Sequence, residues 1–129
     1  MSFTDKYSVM ILVPMIPPPA NSYARMHWAV RKAELDKWKR TIWAMVQSRD
    51  KRFLENNCTS GRKMRVEITF QHKREYDQDN MHAVCKLPLD ALVRLRLLFD
   101  DKPSDCELHV NQELLNAKQT KIYITEAQS

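Results

Sequence analysis

Apolar and polar positions along the chain fall into two kinds of pattern. Tyr7-Ser8-Val9-Met10-Ile11-Leu12-Val13 is rich in β-formers and starts with some alternation, which predicts a strand. Pro14 and then Pro17-Pro18-Pro19 cannot continue a ladder, so the strand stops there and Ala20 to Arg25 reads as an extended loop. Trp28, Arg31, Leu35, Trp38, Ile42 and Met45 recur at three- and four-residue steps, which predicts an amphipathic helix from Trp28 to about Arg49. Its tryptophan stripe reads as core, against a base-stacking platform. Lys32, Lys37, Lys39 and Arg40 occupy the other face, either solvated or in contact with phosphates.

Asp50 to Arg62 is polar, contains the only glycine, Gly61, and reads as a connection. Met64, Val66, Ile68 and Phe70 then alternate with Arg65, Glu67 and Thr69, the clearest strand of the chain. It leads into a basic lip, Gln71-His72-Lys73-Arg74-Glu75. Asp79-Asn80 suits a helix start, with Met81, Val84, Cys85 and Leu87 as its apolar stripe. Pro88 predicts a kink or restart, because it lacks an N–H and disfavours helical geometry at Leu87. The helix is expected to resume through Leu98. Residues 105–110 and 119–125 each read as a strand. The sum is a small single-domain α/β protein of order β-α-β-α-β-β, a mixed sheet packed by two main helices across residues 1–129.

Composition narrows the class. A chain of 129 residues with 43% hydrophobic and 29% charged residues is long enough for one core and reads as globular. No apolar run approaches a membrane span, and the proline-broken start does not resemble a signal peptide. Cys58, Cys85 and Cys106 are scattered, which fits three small buried hydrophobes in a reducing cytoplasm better than a disulfide framework or structural zinc.

Charge divides the chain. Residues 1–74 carry 15 Lys and Arg against 6 Asp and Glu, whereas residues 75–129 carry 6 against 10. A basic body around an acidic patch suits a metal-dependent enzyme acting on a polyanion, although a mixed solvated surface would give the same counts. The acidic patch is concentrated in Tyr76 to Asp101, where Asp77, Asp79, Asp90, Asp100 and Asp101 lie. Crowded carboxylates repel unless a cation or proton intervenes. If the backbone stays extended, Asp77 and Asp79 project to the same side, and Asp100-Asp101 can fold back beside them after the helix. Such an oxygen-rich set suits a hard cation such as Mg²⁺, completed by water and a substrate phosphate. His82 and Lys86 could each add a charge or proton, or be ordinary helix-surface residues.

These motifs resemble the RusA family of Holliday junction resolvases. Pro17-Pro18-Pro19-Ala20-Asn21-Ser22-Tyr23 is similar to its proline-rich turn followed by an asparagine and an aromatic. Lys73-Arg74-Glu75-Tyr76-Asp77-Gln78-Asp79-Asn80 is similar to its basic lip and D-x-D-N. Asp90-Ala91-Leu92 and Phe99-Asp100-Asp101 match its D-A-L and apolar-D-D. The resemblance implies a homodimeric endonuclease, dependent on Mg²⁺ or Mn²⁺, that nicks opposing strands of a four-way DNA junction in recombination and repair, in a bacterial or prophage setting. It implies Asp77, Asp79 and Asp101 as metal ligands, Asp100 and His82 as auxiliaries, and Lys73, Arg74, Asn21 and Tyr23 as DNA contacts. The family's cleavage lysine lies four residues after D-x-D and four before D-A-L. Counting forward from Asp79 reaches Ala83, whereas counting back from Asp90 reaches Lys86, so this chain carries three extra residues between the motifs. Lys86 is the matching lysine, at a position about one helical turn further along. Two other readings stay open: a branched-DNA-binding protein without cleavage on the same scaffold, and a nuclease for flaps or other branches.

Overall fold

A computed structural model describes residues 7–127, the Ala20 side chain excepted. In chain order it contains β1 (Ser8–Val13), α1 (Ala20–Arg25), α2 (Trp28–Met45), α3 (Ser48–Thr59), β2 (Met64–His72), α4 (Gln78–Val84), α5 (Lys86–Arg94), β3 (Cys106–Leu114) and β4 (Gln119–Glu126). The four strands form one mixed sheet in the order β1-β4-β2-β3, so the α/β expectation holds. β4 is antiparallel to both β1 and β2, while β2 and β3 run parallel.

Alternation sets which residues meet across the sheet. Val9 pairs with Ile124, Ile124 with Val66 and Val66 with Leu108; one step along, Ile11, Ile122, Ile68 and Val110 make the next such row. These residues sit on one face, and Trp38 and Ile42 of α2, Leu54 of α3 and Leu89 and Leu92 of α5 close over them in a single core. The opposite face is polar over β2 and β3, where Arg65 pairs with Glu67 and Glu107. No helix among the described residues is long and apolar enough to cross a membrane.

Several local expectations change. The proposed extended loop at 20–25 is the short helix α1, because Pro19 takes an extended conformation and its carbonyl accepts the Tyr23 N–H. The long helix ends at Met45, since Val46 and Gln47 turn extended, and the polar connection after it is a second helix, α3. Only Phe53, Leu54 and Cys58 gave α3 an apolar stripe, too sparse to show its period. The tryptophan stripe is core only at Trp38; Trp28 is 65% exposed, and Trp43 lies on the rim with the Lys51 ammonium 4.1 Å from its ring centre. The basic face of α2 is partly neutralised, because Lys32 and Lys39 both bridge to Asp36.

The break near Pro88 is a restart. α4 closes at Cys85 and α5 begins at Lys86, which places Pro88 in the first turn of α5, where its missing N–H leaves no helical bond unmade. The second helix stops at Arg94 instead of reaching Leu98. Arg96 takes a left-handed conformation (φ 61°), its N–H donates to the Val93 carbonyl and the Leu97 N–H donates to the Leu92 carbonyl. That is a Schellman ending, with buried Leu97 and Leu92 as its apolar contact. α3 ends in the same way at Gly61 (φ 66°), with Gly61 bonded to Cys58 and Arg62 to Asn57. The three thiols are free and buried, and burial pushes Cys85 up to about 12 and Cys106 up to about 11.

The two left-handed residues differ in a testable way. A methyl added at Gly61 would meet only the Phe99 ring, at 3.9 Å, so Gly61→Ala costs backbone strain alone, about 1 kcal/mol. Arg96→Gly relieves the same strain but loosens the unfolded chain, leaving a gain of about 0.5 kcal/mol. Urea denaturation of both variants measures the two signs.

Candidate functional site

Strand directions bring three loops to one edge. Because β4 is antiparallel to β1 and β2, and β3 is parallel to β2, the chain leaves β1, β2 and β3 at the same end of the sheet, and β4 enters there. Ligands of open α/β sheets commonly bind outside the carboxyl ends of such strands. Here the Ile16–Pro19 segment after β1, the His72–Tyr76 lip after β2 and the β3–β4 loop surround a cleft of about 690 Å³. The proline segment is anchored from beneath: the buried Thr120 hydroxyl donates to the Met15 carbonyl at 2.8 Å.

Pro17 and Pro18 also line a second, smaller hollow of about 180 Å³ with Tyr23, Ala83, Lys86 and Asp90. The proline segment is therefore a ridge with a depression on each side. On one side the charged side chains are Lys73, Arg74 and Lys118, with no carboxylate among the described residues that line the cleft. On the other side Lys86 shares the hollow with a carboxylate, Asp90.

Asp90 is where carboxylate crowding is felt. Its carboxyl is raised above the ordinary aspartate value, first by loss of hydration among the surrounding protein atoms and then by the like charge of Asp101, with Arg94 and Lys86 opposing. Burial and the Asp90 charge also raise the Tyr23 phenol. Asp101 is half-buried, and its N–H donates to the Asp100 carboxylate at 2.7 Å, which fixes the Asp100-Asp101 turn.

The D-x-D segment adopts a different local geometry from the one its spacing suggested. Extended backbone ends at Asp77, whose carboxylate accepts the Asn80 N–H at 2.8 Å as the N-cap of α4. Asp79 lies inside the first helical turn and is exposed, so the two side chains do not project from one extended strand. An N-cap contact contributes about 1 kcal/mol and still leaves oxygen lone pairs available. Among the described residues, no three His, Cys, Asp or Glu side chains form a group able to hold an ion as they stand.

The donor chemistry nevertheless suits a hard divalent cation. The acidic residues offer oxygen alone, and the Asp90–Asp101 pair carries a repulsion that a cation would relieve. Helix register also settles where Lys86 stands. Despite the break at Cys85, Ala83, Lys86 and Asp90 all line the same hollow. His82 lies outside it, exposed, with Nδ1 donating to the Gln78 carbonyl at 3.0 Å. Asn21 is exposed on α1, while Tyr23 is half-buried against the core.

Asp90, named in the sequence as one of the crowded aspartates and in the D-A-L match, lines the hollow. One contributor escaped the sequence reading: Gln112 of β3 carried no signal, yet it ties down the segment that delivers Asp77. The Tyr76 N–H donates to Gln112 Oε1 at 2.9 Å, and Gln112 Nε2 donates to the Tyr76 carbonyl at 2.7 Å. Because a backbone N–H can only donate and a carbonyl can only accept, the amide's orientation is fixed. His72 Nε2 faces the same Oε1 at 3.0 Å and must therefore carry the proton. Nδ1 is buried with no hydrogen-bond partner among the described residues. The His72 ring also packs edge-on against Tyr76, with centroids 4.4 Å apart.

Neither models of known protein families nor curated protein sequences match this chain.

The raised Asp90 carboxyl carries a sign. A carboxyl whose folded value exceeds its unfolded one weakens the fold as pH rises through that window. Asp90→Asn should thus stabilise the metal-free protein at pH 7, by no more than about 0.5 kcal/mol because solvent screens the repulsion. The gain should vanish below the ordinary aspartate range. Thermal melts at pH 7 and pH 3 check both halves.

Proposed function

We propose that this protein is a metal-dependent, structure-selective DNA endonuclease that nicks opposing strands of four-way junctions, acting as a homodimer. The observation that carries the reading is the proline ridge, with a carboxylate-and-lysine hollow on one side and a cationic cleft on the other. A phosphodiester backbone needs both: cations to hold phosphates, and a charged site at the scissile one. The family resemblance of the proline turn, D-x-D-N, D-A-L and apolar-D-D motifs supports the same substrate class.

In this reading Asp77, Asp79 and Asp101 would hold Mg²⁺ or Mn²⁺, and Asp90 would act through its neighbour Asp101. An ion held there would supply a more acidic water and offset charge on the phosphate. The remaining work falls to side chains. Lys86 presents its ammonium to the hollow, where it favours the extra negative charge of a phosphate under attack. The Tyr23 hydroxyl, whose proton burial and Asp90 both help retain, can donate a hydrogen bond at the hollow's rim. Lys73 and Arg74 hold the flanking backbone, and Gln112 fixes the lip so that Asp77 arrives in register. A two-fold pair of such sites matches the two-fold symmetry of a junction.

A second reading has one specific observation behind it. Asp77 is engaged as a helix cap, and among the described residues no three acidic side chains converge. A protein that binds branched DNA without cutting it would need no such convergence.

Cleavage of labelled four-way junctions in Mg²⁺ or Mn²⁺ separates the two. Asp101→Asn should lower the cleavage rate by roughly two orders of magnitude or more while gel-shift affinity persists. Lys86→Ala should slow cleavage more than it weakens binding. Wild-type protein that binds junctions and leaves them intact in both metals would establish the second reading. Light scattering should give twice the chain mass; a monomer at assay concentration removes the dimer from the proposal.

A further inference from the structure

The cleft at the carboxyl ends of β1, β2 and β3 is larger than backbone steering requires. Its volume of about 690 Å³ falls within the roughly 300–1,000 Å³ of pockets that enclose a small molecule. The walls differ in chemistry. The Ile16–Pro19 segment gives an apolar wall with little conformational freedom, Tyr76 gives an aromatic ring, and buried His72 lies beneath it. Lys73 and Arg74 stand on one loop and Lys118 on another.

Few ligands want all of this together. A flat, weakly polar body suits the proline and tyrosine walls, and an anionic chain passing on either side suits the three cations. A base pair within a duplex does not present that shape, because its faces are covered by its neighbours. A nucleotide released from stacking does, and base-on-aromatic contact combined with a cationic track is the general means of holding single strands. The Tyr76 ring is also held in place: Gln112 bonds both backbone groups of that residue, and His72 buttresses the ring. A ring fixed before the ligand arrives loses little freedom on binding.

We propose that this cleft binds one unpaired nucleotide of DNA, its base between the proline wall and Tyr76 and its flanking phosphates on Lys73, Arg74 and Lys118. The inference rests on the DNA reading above and adds to it a requirement for a locally single-stranded nucleotide beside the cut. Pro17 and Pro18 line both depressions, so an extruded nucleotide would lie across the ridge from a strand entering the Lys86–Asp90 hollow.

The test uses the full chain and a deoxytrinucleotide with 2-aminopurine at its centre, in Ca²⁺ or EDTA so that no cutting intervenes. Wild-type protein should give a saturable fluorescence change. Ala117→Phe places a ring in the cleft from the exposed β3–β4 loop and should weaken binding at least fivefold, roughly the loss of one stacked base. Lys118→Ala should weaken it too, and should reduce the slope of log affinity against log salt by about 0.7, one phosphate contact to a single strand. That slope would not move if Lys118 mattered only for folding, and it remains readable if Ala117→Phe fails to fold. No saturable change with wild type, or unaltered affinity and slope in both variants, overturns the proposal. A preparation that binds or cuts junctions yet ignores the trinucleotide loses this cleft and keeps the nuclease reading. One that binds the trinucleotide yet ignores every branched DNA does the reverse.

Discussion

Everything at this site depends on one pairing, the parallel ladder between β2 and β3. Parallel neighbours cannot be joined by a tight turn, so the chain must leave the sheet at His72, cross back over the core and return at Cys106. That crossover carries Asp77, Asp79, Lys86, Asp90, Asp100 and Asp101. It is built from two short helices because Pro88 prevents one long helix, and it is fastened by Leu89 and Leu92 in the core and by the Schellman turn at Arg96. The same ladder aligns the ends of β2 and β3, which lets Gln112 on β3 reach back to Tyr76. Without the parallel register Lys86 and Asp90 would not be brought against the proline segment.

Charge is then sorted by geometry. The lysines and arginine after β2 and β3 line the cleft, while Lys86 and Asp90 of the crossover line the hollow on the other side of the prolines. The ridge between them is only a few residues wide, and the buried Thr120 hydroxyl holds it down through Met15. A substrate carrying regularly spaced phosphates can touch both depressions at once.

Much of this was legible in the chain, and the reason is periodicity. The strands were readable because Val66, Ile68 and Phe70, or Ile122 and Ile124, alternate with polar neighbours on a sheet buried on one face. The restart near Pro88 followed from proline's missing N–H. What stayed hidden had no local signal. α3 buries too few apolar residues to declare a period, and α1 begins on a proline with its first bonds supplied by backbone. Trp28 sits at a core-like spacing but falls at the start of α2, where little covers it. Gln112 acts on a residue 36 positions away, a distance that only the sheet closes. Lys86 and Asp90, four residues apart in α5, share a face as helical spacing predicts, but that this face meets the proline segment depends on the sheet.

The joint between the crossover helices has one more consequence. Cys85 sits there fully buried, with a thiol held protonated far above neutral pH. Only the thiolate reacts with disulfide and alkylating reagents, so this sulfur is inert while the joint is closed. It becomes a clock for breathing. The rate at which a reagent captures Cys85 reports how often the hinge beside Lys86 parts from the core, and a ligand that braces the crossover would slow that capture without touching the cysteine.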